Sequence, residues 1–211
     1  GKTRNFINGD VTYLSPYISR GLISTKYVAL YFLNKGYSTN DMESFLQELA
    51  WRDYWQQIWI VRGNEINKDL RQPQARADRS GIPKSIVNHE TGIEAIDNAI
   101  KEFYSMGYLH NHVRMYVASL ATNVGRCAWI DPAKWMYYYL LDGDWASNAL
   151  SWQWICGAKS NKLYFANQEN INKYFNTYQE GTFLDVEYDR LPEIQIPKEL
   201  DELERFELKT E

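Results

Sequence analysis

Apolar and polar positions recur with a helical period along most of the chain, and alternation of period two persists nowhere long enough to name a strand. Ser15-Pro16 reads as an N-cap followed by proline at the first helical position, and Ser24 caps a second helix that runs to Asn34 and stops at Gly36. Asn40 with Glu43 has capping-box spacing and opens an apolar, Trp-rich helix over 41–62. Thr91-Gly92-Ile93-Glu94 is a capping box for a helix ending near Gly107, and another runs from about 108 to Gly125. Asp131-Pro132 opens a helix to about 141, and Asp144 begins the next. Residues 63–90, with Gly63, Pro73, Gly81 and Pro83, form the longest loop-like stretch. The pattern predicts an all-α helical bundle over 1–184. An acidic C-terminal tail follows over 185–211; beyond Pro192 it either folds back or stays loose.

Composition narrows the class without naming it. With 211 residues, 45% apolar and 24% charged, the chain suits one core or a tight pair, and disorder, collagen and coiled coil are excluded. No run approaches the apolar length of a transmembrane helix, and the first residues carry no apolar signal region, so no membrane association is expected. Two cysteines and three histidines make neither a disulfide framework nor a zinc site; no metal and a reducing cytoplasm are expected. The net charge of −4 is uneven: residues 185–211 hold ten acids and four bases, leaving 1–184 mildly basic, which permits a nucleic-acid partner without indicating one. Aromatic residues reach 15% of the chain, for which core packing is the ordinary reason.

Three clusters carry chemistry. In the Trp-rich helix Glu48, Trp51, Arg52 and Trp55 share adjoining parts of one surface, an arrangement that serves either a surface ion pair beside core indoles or a pocket for a polar heterocycle. Further on, Asn111, Arg114, Met115 and Ala118 share a helical face, whereas His110 and His112, two residues apart, do not face each other and read as polar surface or base-contacting groups. Asp144, Asn148 and Trp152 then form a stripe of carboxylate, amide and indole over two turns. Asp142 and Asp144 lack the rest of a calcium loop.

These clusters lie within longer segments: 12–21 (TYLSPYISRG), 45–54 (FLQELAWRDY), Thr91-Gly92-Ile93, 110–115 (HNHVRM), and 142–144 leading to 152–154 (DGD to WQW). Together, in order and near-family spacing over roughly 4–156, they resemble the flavin-binding domain of the photolyase and cryptochrome family. The resemblance implies a helical bundle holding U-shaped FAD. Thr12, Leu14 and Ser15 then correspond to the segment gripping the cofactor phosphates, where a helix N-terminus suits an anion. Arg52 is similar to a further cofactor contact, and Asn111 to a residue serving cofactor and substrate. Arg114 and Asp142 resemble an ion pair against the isoalloxazine, Asp144 a carboxylate near it, and Asn148 the residue beside flavin N5, where an amide favours repair. Glu48, Trp51, Asn111, Met115 and Trp154 match the substrate cavity, with the indoles stacking flipped-out bases and a protonated Glu48 bonding a thymine carbonyl. Trp152 and Trp129 match the inner positions of an electron-transfer chain. Its third tryptophan is missing from 63–90, leaving Trp135 or one of Tyr137, Tyr138 and Tyr139 as the exit.

The sequence also departs from the family. The N-terminal α/β antenna domain is expected to be absent or supplied by a separate chain. His112 stands where repair enzymes usually carry arginine, Asn148-Ala149-Leu150-Ser151-Trp152 replaces a glycine-rich run, and residues 158–168 rebuild the segment after Cys156. The expectation is a monomeric photolyase-like lyase. It would repair pyrimidine dimers in single- or double-stranded DNA by light-driven electron transfer from reduced FAD. The alternatives are a cryptochrome-type blue-light receptor and a helical module that has lost its flavin.

Overall fold

The computed structural model describes residues 3–207. Nine α-helices appear among them: α1 (Ser15–Ser19), α2 (Thr25–Asn34), α3 (Thr39–Arg62), α4 (Lys84–Val87), α5 (Glu94–Met106), α6 (Asn111–Ser119), α7 (Ile130–Tyr139), α8 (Trp145–Ile155) and α9 (Gln168–Phe175). The helical architecture matches the expectation; its details differ where capping depends on geometry. Ser24 caps α2 by accepting from the Tyr27 N–H, as expected. Ser15 is not a cap but the first residue of α1, with Leu14 before it. The capping box of α3 is Ser38 with Asp41 rather than Asn40 with Glu43. At α5 the cap comes from inside the helix: Asp97 accepts from the Thr91 N–H and hydroxyl and from the Gly92 N–H. The stretch expected as one helix over 108–124 is α6 continued by a π-helical turn at Leu120–Val124. Asp144 precedes α8, but its carboxylate makes no cap bond and is turned to other partners.

The core lies in the C-terminal two-thirds. Ile96, Ile100 and Phe103 form the buried stripe of α5; they pack with Val113, Tyr116 and Val117 of α6, Trp135 and Met136 of α7, and Trp152 and Ile155 of α8. Two buried amides join this core to its loops. Gln153 accepts from the Leu70 N–H and donates to the Ile66 carbonyl; Asn123 donates to the carbonyls of Ile155 and Tyr164. Each converts an otherwise costly buried polar group into a tie between distant segments.

The acidic C-terminal segment folds back. Leu191 and Leu200 are buried, and β2 (Leu203–Glu204) pairs antiparallel with β1 (Ile82–Pro83). Gly81 is required at this junction: its φ is +105° and an added Cβ would lie 2.5 Å from the Glu204 carbonyl oxygen.

Candidate functional site

Two arginine–carboxylate pairs tie α3 and α6 to the loop that opens α8. Arg114 of α6 donates through Nη2 to both carboxylate oxygens of Asp142, at 3.1 and 2.9 Å, while its Nε donates to the Leu109 carbonyl at 2.7 Å. Arg52 of α3 donates to Asp144, which also accepts from Gln56 and from the Ser147 hydroxyl. Both carboxylates are 6% exposed and the two arginines about a quarter exposed. Buried carboxylates of this kind persist only when paired and hydrogen-bonded. Neither guanidinium is saturated: Arg114 keeps Nη1, and Arg52 all but Nη1, without an acceptor among the described residues. The Arg114 guanidinium also lies 5.8 Å from the centroid of the Tyr108 ring.

Asn148, on α8, donates its amide to the Ala133 carbonyl at 2.8 Å, which fixes the side chain and leaves its oxygen without a donor among the described residues. Trp152 and Trp129 are buried, and the Trp129 indole N–H donates to Asp69 at 2.8 Å. Trp135 is fully buried against Phe103, Tyr104 and Tyr139, so it does not serve as a solvent-facing exit. Tyr138, half-exposed and 5.0 Å from Tyr139, reaches the surface.

Of the residues expected to meet substrate, Glu48, Trp51, Asn111 and Trp154 are exposed and Met115 is half-buried. Trp51 and Trp154 are 44% and 46% exposed, and Trp51 stacks on Trp55 with ring centroids 5.2 Å apart. Asn111 and Met115 are neighbours, the amide nitrogen 3.8 Å from the sulfur. Glu48 is exposed and paired with Arg4 at 3.1 Å, rather than facing an enclosed pocket beside Arg52. Four residues apart, the two side chains diverge because Arg52 turns inward to Asp144.

The segment expected to grip the cofactor phosphates begins exposed at Thr12 and reaches Leu14 and Ser15 at the start of α1, a helix of five residues with a correspondingly small dipole. Between them Tyr13 takes φ +51°, unusual for a non-glycine residue, and its ring lies 5.1 Å from Tyr108. The histidines, expected as polar surface or base-contacting groups, face the N-terminal segment. His110 is buried; its Nε2 lies 3.1 Å from the Arg4 carbonyl and its Nδ1 accepts from the His112 N–H. The Nδ1 of His112 lies 2.7 Å from the Asn5 carbonyl. Both rings anchor the N-terminal segment to α6, and burial lowers their pKa values. Burial also raises the thiols, Cys127 to about 11 and Cys156 to about 12, which disfavours their thiolates.

Sequence reasoning missed Gln56, although it continues the Glu48–Arg52 spacing by another four residues. It also missed Asp69 and Lys159, for which the local sequence holds no signal. A cleft of about 680 Å³ touches Gly143 and Trp145 but none of Arg114, Asp142, Asp144 and Asn148. Among the described residues no group of His, Cys, Asp or Glu can hold a metal, and no helix is long and apolar enough to cross a membrane.

This geometry belongs to a helical domain built around two buried acid–arginine pairs. The family model described as the FAD binding domain of DNA photolyase matches residues 45–191, more than half of the chain, and the chain belongs to that family. It is 33% identical to a deoxyribodipyrimidine photo-lyase of Streptomyces griseus over 71% of this chain and 33% of that protein. It is 28% identical to a cryptochrome DASH of Ostreococcus tauri over 94% of this chain and 39% of that one. A bacterial class III photolyase from Agrobacterium tumefaciens superposes with a TM-score of 0.67 at 26% identity, covering 83% of this chain and 38% of its own. The chain thus spans between a third and two-fifths of these relatives' length. The family's cofactor is FAD, and the unsaturated guanidiniums beside buried carboxylates fit a polar heterocycle with carbonyl and ring-nitrogen acceptors.

Proposed function

We propose that the protein is a photolyase-type lyase that repairs pyrimidine dimers in DNA with light. The observation that carries this reading is the pairing of two buried carboxylates only two residues apart, Asp142 with Arg114 and Asp144 with Arg52, in a chain that leaves the indoles of Trp51 and Trp154 exposed. Bound FAD supplies a light-absorbing electron donor.

The remaining work falls to this chain. Arg52 and Arg114 hold positive charge against the cofactor, Asp142 and Asp144 fix the guanidinium orientations, and Asn148 offers a side chain fixed by Ala133. Thr12, Leu14 and Ser15 hold the cofactor phosphates; the left-handed Tyr13 between them is the kind of strained backbone found at ligand clamps. Trp51 and Trp154 stack two extruded bases, Asn111 and Met115 serve the same substrate, and Trp152 and Trp129 are buried, oxidisable indoles that would serve as electron carriers within the core. Glu48 bonds a base carbonyl once it leaves Arg4 and takes a proton.

The test is a reduced, FAD-loaded sample mixed with ultraviolet-irradiated oligothymidylate. Blue light restores intact thymines if the reading is right, and persistence of the lesion under light removes it. A cryptochrome-type receptor is the second reading, favoured by the exposed Glu48–Arg4 pair, which leaves the lesion-bonding carboxylate engaged elsewhere. Under that reading the flavin responds to light but damaged DNA binds no better than intact DNA.

A further inference from the structure

The segment after α8 was singled out for its departure from the family pattern, and it places a lysine in an unusual position. The Lys159 ammonium lies 3.3 Å from the centroid of the Trp55 ring and 5.8 Å from that of Tyr54. Its nitrogen is buried with no hydrogen-bond partner among the described residues. The surrounding turn is firmly held. Gln72 donates to the carbonyls of Gly157 and Ser160, Ala158 accepts from the Arg71 and Gln72 N–H groups, and Ser160 donates to the Trp154 carbonyl. Lys159 itself donates its backbone N–H to Gln153. The backbone is therefore fixed while the end of the side chain is retained only by an aromatic face.

An ammonium has three donors and is costly to bury without acceptors. A cation over an indole recovers part of that cost. Here the indole belongs to the Trp51–Trp55 stack, on the face where the preceding section places bases. A base arriving at Trp55 competes with the ammonium for the same surface, and each nucleotide that delivers a base also delivers a phosphate.

We propose that Lys159 is a nucleic-acid-reading residue: it covers Trp55 in the free protein and moves to a backbone phosphate when a base of single-stranded or flipped-out DNA stacks there. The inference rests on the DNA-binding part of the reading above and not on light-driven repair. Burial lowers the Lys159 pKa to about 8, and no carboxylate or second cation from any packed element contributes to that shift. Tyr54 is the other titratable side chain recorded against it. The contact with phosphate is accordingly lost as pH rises through the range in which the ammonium deprotonates.

The experiment uses the FAD-loaded chain and fluorescein-labelled oligothymidylate, irradiated and intact, in anisotropy titrations across salt at pH 7 and pH 9. For the wild type, affinity falls between the two pH values by more than for Lys159→Met. Lys159→Met binds about tenfold more weakly at low salt, and its plot of log affinity against log salt is shallower by about 0.7, the share of one phosphate contact on a single strand. Lys159→Arg keeps the wild-type slope and loses the pH dependence, since a guanidinium stays charged throughout. Circular dichroism melting establishes that each variant is folded. A Lys159→Met protein with wild-type affinity, slope and pH profile overturns the inference and leaves the repair reading standing. Equal binding of irradiated and intact strands, with the Lys159 effects present, keeps the inference and removes lesion recognition. Absence of binding to either strand removes both.

Discussion

Residues 3–62 and residues 63–207 solve different physical problems. In the first region only Val28 and Met42 are buried apolar side chains, while Tyr27, Leu30, Tyr31, Trp51, Ile60 and Val61 stay exposed. The second holds the continuous core from Ile82 to Leu200 and the buried amides that tie its loops. α3 is long and well capped, yet it meets the second region chiefly through α8 and the turn at Gly63–Asn67 that follows it, with Arg52 and Gln56 reaching across to Asp144. One region therefore holds most of the buried core, and the other is joined to it by the packing of α3 on α8, by the Phe6–Tyr174 and Tyr13–Tyr108 contacts, and by the polar contacts of the candidate site. A site at such a junction couples local stability to ligand binding, because whatever occupies it supports both sides.

The contrast is broken most severely by truncating a core indole. Trp152→Ala is expected to cost about 3–5 kcal/mol in urea unfolding. Trp51→Ala, on the open face, changes stability little and weakens binding of an irradiated strand by about 1–3 kcal/mol. Equal stability losses for the two would place both indoles in one core.

A smaller effect separates the ion pairs. Asp142→Asn leaves the half-buried Arg114 without its carboxylate and is expected to destabilise by about 3 kcal/mol. Arg4→Ala, which removes the exposed Glu48 partner, costs less than about 1 kcal/mol. Paired urea titrations of the two variants measure the difference. Amide hydrogen exchange sharpens it further: α2 and α3 should exchange before α5, α6 and α8, and adding FAD should protect α3 more than α5.

The smallest effect is on pH. Burial lowers the His110 and His112 pKa values from the ordinary 6.5, so the unfolded chain binds protons more readily than the folded one. Their contribution is present above about pH 6.5 and declines as pH falls through the lowered values. Melting temperature should drop on acidification by less in a His110→Gln, His112→Gln variant. An identical drop would show that the anchoring of residues 4 and 5 does not depend on neutral imidazoles.

Much of this was legible in the sequence. Helical periodicity and local punctuation located the helices, because i, i+3 and i+4 spacing and capping hydroxyls are short-range properties. Periodicity could not choose between neighbouring caps: Ser38 and Asn40 both offer a side chain near the start of α3, and Asp97 reaches back to Thr91 only once the turn has formed. The ordered motifs identified the family, while the partners of their charged groups were invisible. Arg52 is separated from Asp144 by 92 residues and Arg114 from Asp142 by 28.

Chain composition and spacing by themselves determined a helical domain with acids, arginines and indoles at recurring faces. Only the tertiary structure decided that Glu48 turns outward to Arg4 while Arg52 turns inward, that the histidines fasten the N-terminal segment, and that Lys159 rests on Trp55. The reason is range. Backbone hydrogen bonding and helical period act within a few residues and can be read from them. The environment of a charge depends on which distant segment excludes water from it, and that is fixed only when the helices pack.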